Sequence, residues 1–185
     1  MAASASGASS ENGSGGALHK HRPAAAAAAN PVSPQTEKAR ADAVMTAQPS
    51  LSNLVYQRSQ DAGSANAETE CIAKIVFHEA SNQSLRAQLA VAEVVVNRTH
   101  SGGGFPATAC AVANQRGQFF PVSRYHAPKD SARWRTAVAI ARIAQAGESP
   151  RVAPGALFFH AAYSRPAWSH TRPLVVQVGG QYFYR

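Results

Sequence analysis

The sequence predicts a mainly α-helical domain with a small β element at its C-terminal end, preceded by a disordered tail. Three observations carry this α+β reading. Of 14 aromatic residues, only Tyr56 lies before residue 77. From about Ala67 onward, apolar residues recur at helical spacing through three successive segments. The chain then closes on two short β-rich runs around Gly179-Gly180.

Residues 1–66 are mostly Ala, Ser, Gly, Pro, Gln and Asn with scattered charge. Such a stretch cannot bury enough apolar surface to offset the chain entropy it would lose. It reads as a tail or linker before a domain at 67–185. LSNLVYQ (51–57) is the one part able to form a short helix or dock, although composition favours a solvated tail. No segment approaches the 18 or so apolar residues of a membrane span. The N-terminus lacks a basic region followed by an apolar core, so no signal peptide is expected in this chain.

The formal charge is +8, and +7 of it falls on 67–185. A basic surface suits an anionic polymer: nucleic acid, acidic glycan or cell wall. No zinc-finger pattern or run of adjacent basic residues points to nucleic acid, which is not an expected partner. There is no phosphate loop, no G-x-S-x-G elbow and no alternating βα pattern.

In the first helix, Ile72, Ile75, Val76 and Glu79 fall at i, i+3, i+4 and i+7. Glu79 is thus a carboxylate in register with the apolar stripe, directed at the core or at a cleft beside it. A carboxyl sheltered from water keeps its proton more readily and suits general acid catalysis. The competing reading is a Glu at a frayed helix end, reaching out to solvent. His78-Glu79 is also half of the H-E-x-x-H zinc motif, but Asn82 stands where the second His belongs. No other His pairs with His78 on one helix, so neither a metal nor another cofactor is expected.

SNQS (81–84) breaks the helix, with Asn82 or Ser84 able to cap the next one, at about 84–99. Its Val94-Val95-Val96 run makes it apolar nearly all round, and so central. Glu93 lies within it, and an ion pair with Lys or Arg is favoured over a catalytic role. SGGGFP (101–106) is a loop, followed by a short segment through Cys110 to Asn114. QRGQFFPV (115–122) sets Gln118 beside Phe119 and Phe120, either a sugar or peptide platform or core filling. Asp130 or Ser131 caps a third helix, which Gly147 ends. ALFFH (156–160) is strand-like and 162–173 is a loop. LVVQV (174–178) and QYFYR (181–185) form a hairpin. Cys71 and Cys110 are either two buried thiols or one bridge, the latter suiting an oxidising compartment.

The segment 72–98 resembles the opening of bacterial cell-wall hydrolases of the spore-cortex-lytic, SleB-like type. Their pattern is an apolar helix ending in Glu-Ala, a polar break, and then Gln-x-Ala-Val-Ala-x-Val-x-x-Asn-Arg. Here these are Glu79-Ala80 and then Gln88, Ala90, Val91, Ala92, Val94, Asn97 and Arg98. Phe105-Pro106, the Cys110 region, Gln118-Phe119, FHAAYSRPAW (159–168) and Tyr182 to Arg185 are similar too. The chain departs from the pattern at Ser81, Asn82, Gln83, Ala87, Gly117, Ala162 and Gln181, which bears on substrate contacts more than on fold.

The resemblance implies a lysozyme-like fold that cleaves the glycan strands of peptidoglycan, with Glu79 as the single catalytic carboxylate. Lytic transglycosylase chemistry, ending in a 1,6-anhydro-muramic product, is the activity implied. Gln118, Phe119, Tyr163 and Trp168 are expected to line a substrate groove. His160 either orients substrate or sits in the core. A monomer acting in the cell envelope, periplasmic or secreted, is expected. The alternatives are a wall-binding module of the same fold without turnover, and an amidase that cuts the stem peptide.

Overall fold

The computed structural model describes residues 49–185 and, outside that range, Gln35 alone. The expected tail, as far as residue 48, otherwise lies outside the described residues. Its last part is corrected: Leu51–Ser59 is a helix, α1, packed on the domain. Ser50 caps it, its Oγ accepting from Asn53 N, and Leu54 and Val55 are buried. Arg58 pairs with Glu148. A nine-residue helix is marginal alone; two buried side chains and this ion pair supply what its polar composition conceals.

The other helices are α2 (Ala67–Ala80), α3 (Leu85–Ser101), α4 (Ala109–Ala113) and α5 (Ala132–Ala146). Each starts on a polar cap. Asn66, Ser84, Thr108 and Ser131 accept from the amides of Thr69, Ala87, Ala111 and Trp134. Ser131 rather than Asp130 therefore starts α5, and Gly147 ends it in the left-handed conformation. In α2, Ile72, Ile75 and Val76 are fully buried, as their spacing predicts. In α3 every residue from Ala87 to Val96 is buried, which makes it the central helix. α1, α2 and α3 all pack against α5.

Cys71 and Cys110 form a disulfide that pins α4 to α2. Beside it, Cys110 N donates to Glu68 Oε2 at 3.1 Å.

The β element is larger than a hairpin. β1 (Phe158–Ala161), β2 (Leu174–Val178) and β3 (Gln181–Tyr184) form an antiparallel sheet in the order β1-β3-β2. Phe159 stands opposite Phe183, and His160 opposite Tyr182. A lone hairpin is marginal in water. Here the third strand and the fully buried Phe183 tie it to the helices.

The Gly179-Gly180 turn seats the sheet on the α2–α3 junction. Gly180 N donates to Gln83 Oε1 at 3.2 Å. Gly179 has φ +57°, and a Cβ there would lie 2.9 Å from Gln83 Oε1 and 3.4 Å from Ala87 Cβ. The backbone approaches this closely only because the side chain is missing. The α2–α3 junction is thereby fixed against the start of β3.

Candidate functional site

A cleft of about 590 Å³ opens between the end of α2, the 117–119 loop and β1 with the loop that follows it. Glu79, Gln118, Phe119, His160, Tyr163 and Trp168 all line it. Residues separated by up to 89 positions thus meet in one groove. The structure adds Phe158 and Arg172 to the lining, together with Arg98 and Gln181, met in the sequence only as a match to and a departure from the family pattern.

Glu79 lies in the last turn of α2, with 29% of its side chain exposed. It is neither sealed in the core nor free in solvent: the apolar stripe carries it to the edge of the core, where the cleft begins. His78 Nδ1 lies 3.2 Å from its Oε1. The His78 ring stacks on Phe120, centroids 3.9 Å apart, with Tyr125 edge-on. Among the described residues, no group of three or more His, Cys, Asp or Glu is arranged to hold a metal ion.

Gln181 clamps the backbone behind Glu79. Its Nε2 donates to the Glu79 carbonyl at 3.2 Å. That carbonyl, at the end of a helix, has no intrahelical donor. Gln181 is buried, and its Oε1 has no partner among the described residues.

His160 is occupied at both ring nitrogens. A carbonyl can only accept, so Nδ1 donates to Ala161 O at 2.9 Å, and Nε2 then accepts from the Tyr184 hydroxyl at 3.0 Å. The ring stacks on Tyr182 and Tyr184, and Trp168 packs edge-on against it. This bonding builds the cleft wall. Tyr163, 95% exposed, stands at the rim, and Trp168 is half-buried against Phe158. Gln118 is exposed and Phe119 half-buried.

Arg98 closes the floor. It is only 4% exposed and donates from Nε to Leu157 O at 2.7 Å. Its guanidinium lies 4.8, 5.1 and 5.7 Å from the ring centroids of Phe105, Phe119 and Phe158. Burial lowers its pKa to about 10, which leaves it charged at neutral pH. An arginine at the polar end of an apolar helix gives no local sign that it will face a cleft.

Glu93 corrects an expectation. Among the described residues it makes no ion pair with Lys or Arg; at 1% exposure it accepts from Val152 N at 3.0 Å and Ala153 N at 2.6 Å. Amides from a loop 59 residues away satisfy it, and nothing in the helix pattern shows that loop. Glu93 does not line the cleft.

Residues 82–184 match the family model described as Cell Wall Hydrolase. Glu79 lies three residues before the matched segment. Two solved structures are similar. One is the catalytic domain of the Bacillus cereus SleB protein, at 25% identity and a TM-score of 0.53, covering 64% of this chain and 89% of that one. The other is the catalytic domain of the germination-specific lytic transglycosylase SleB from Bacillus anthracis. It is 25% identical, with a TM-score of 0.55, over 66% of this chain and 98% of that one. No curated protein matches the chain.

Proposed function

Because this chain belongs to the cell wall hydrolase family, we propose that it is a lytic transglycosylase that cleaves the glycan strands of peptidoglycan, with Glu79 as its acid and base. One observation carries the reading: among the described residues, Glu79 is the only carboxylate lining the cleft. A glycosidase that uses water normally sets two carboxylates across the scissile bond. The other carboxylate weighed, Glu93, is committed to backbone amides away from the cleft.

One carboxyl suffices for the transglycosylase reaction. Glu79, protonated, donates its proton to the glycosidic oxygen as the bond to muramic acid C1 breaks. The leaving sugar departs as an alcohol. The Glu79 carboxylate then takes the proton of the muramic acid C6 hydroxyl as that oxygen closes on C1. A 1,6-anhydro ring results, Glu79 regains its proton and no water is consumed. Gln118, Phe119, Tyr163 and Trp168 offer the aromatic faces and amide that hold sugar rings. His160 acts as a wall residue. The substrate lies in the cell envelope, periplasmic or outside the cell, and the Cys71–Cys110 disulfide suits such an oxidising compartment. A monomer is the acting unit of this reading.

A binding module without turnover is the second reading. It is favoured by Ser81 and Asn82, which depart from the family pattern directly after Glu79-Ala80. Digestion of peptidoglycan in heavy-oxygen water separates the readings. The transglycosylase releases fragments that carry no solvent oxygen. A hydrolase inserts one solvent oxygen per bond cleaved, and a binding module releases nothing.

A further inference from the structure

Arg98 and Arg172 converge on one ring from two different elements. The Arg172 guanidinium carbon lies 3.5 Å from the Phe158 centroid and that of Arg98 lies 5.7 Å from it. Both residues line the cleft. Neither pairs with an Asp or Glu among the described residues; Arg172 Nη1 donates, at 3.4 Å, to the Arg185 carbonyl oxygen. Each also keeps a buried N–H group without a partner among the described residues, Nη1 of Arg98 and Nε of Arg172.

Burying a guanidinium with unpaired donors is costly, and the cost is offset when an anion supplies charge and acceptors together. A carboxylate matches the planar fork of arginine. Against these two cations the lining offers one anion, Glu79. We propose that the Arg98–Phe158–Arg172 corner is a carboxylate-binding subsite of the cleft, which seats an anionic group of the glycan beside the bond to be cut. The proposal rests on the peptidoglycan reading above. Peptidoglycan offers this chemistry from two sources: the free lactyl carboxylate of a muramic acid without its peptide, and the carboxylates of an attached stem peptide. Aromatic rings beneath the two cations hold them in place without neutralising them.

The test is a calorimetric titration on Glu79→Gln protein, so that the probes survive. The probes are a stemless muramic acid-containing tetrasaccharide, its lactyl-amidated form, a stem-bearing tetrasaccharide and its carboxyl-amidated form. At least one charged probe is expected to bind about tenfold or more tighter than its amidated partner. The stemless pair showing that advantage assigns the lactyl group; only the stem-bearing pair showing it assigns the peptide. Adding Arg172→Gln, at a half-buried site and with a melting curve to confirm that the variant folds, is expected to abolish the advantage. Arg98→Lys tests the second cation and is expected to weaken it.

Equal binding of charged and amidated probes, or an advantage that persists in Arg172→Gln, overturns the subsite and leaves the peptidoglycan reading standing. Failure of every glycan to bind overturns both.

Discussion

Gln181 Nε2 donates to the backbone carbonyl of Glu79 at 3.2 Å, across 102 positions of sequence. One hydrogen bond thus joins the end of α2 to the start of β3, directly behind the proposed acid. Gln181→Ala leaves that carbonyl unpaired and is expected to cost about 1 kcal/mol of stability. Its larger effect should fall on turnover: kcat drops several-fold while KM changes little, because the clamp positions Glu79 rather than the sugar. Steady-state kinetics on soluble glycan, alongside a melting curve, checks this.

The Cys71–Cys110 bridge closes a loop across 39 positions. The chain-entropy estimate for such a loop is about 4 kcal/mol. Cys71→Ser with Cys110→Ser, or reduction of the wild type, is expected to lower Tm by on the order of 10 °C or more. Scanning calorimetry with and without reductant reads it.

Glu93 predicts stability loss without loss of chemistry. Glu93→Ala removes the acceptor for the Val152 and Ala153 amides and is expected to cost about 3 kcal/mol or more. Folded protein that survives should keep its activity per active molecule. Denaturant midpoints and activity per folded molecule, measured on one preparation, separate the two effects.

Gly179→Ala tests the seat of the sheet. The left-handed φ costs about 1–2 kcal/mol for a residue with a Cβ. The added carbon would also push Gln83 Oε1 off Gly180 N. A loss of that size is expected, with turnover reduced alongside because Gln181 opens the strand that follows this turn. Gly180→Ala, whose Cβ would meet nothing closer than 3.6 Å, should cost less. Chemical denaturation of the pair gives the comparison.

The helices were legible because apolar residues in α2 and α5 recur at helical spacing, α3 is apolar nearly all round, and caps and Gly147 mark their ends. α1 was not, since its burial comes from contact with a helix far along the chain. Glu79 was legible as the odd polar residue in an apolar stripe. Of its neighbours in the cleft, Gln118 and Phe119 stood out as a sugar or peptide platform or core filling, and resemblance to a family added Tyr163 and Trp168; spacing within 115–122 or 159–168 says nothing of where those loops meet. Arg98, Arg172 and Gln181 stayed hidden for the same reason. Each acquires its meaning from a partner on another element: a Phe ring for the two arginines, a helix-end carbonyl for Gln181. Glu93 shows the converse. A buried carboxylate in a helix reads as half of an ion pair, but backbone amides can satisfy it equally well.

The account turns on Glu79, and digestion of purified peptidoglycan by the wild type and by Glu79→Gln, read by mass spectrometry, tests it most directly. The wild type is expected to release fragments ending in 1,6-anhydro-muramic acid. The variant should still bind the wall, with turnover lower by about a hundredfold or more, the usual worth of a positioned acid and base. Anhydro ends released equally by the variant, or reducing ends released by the wild type, would contradict the account.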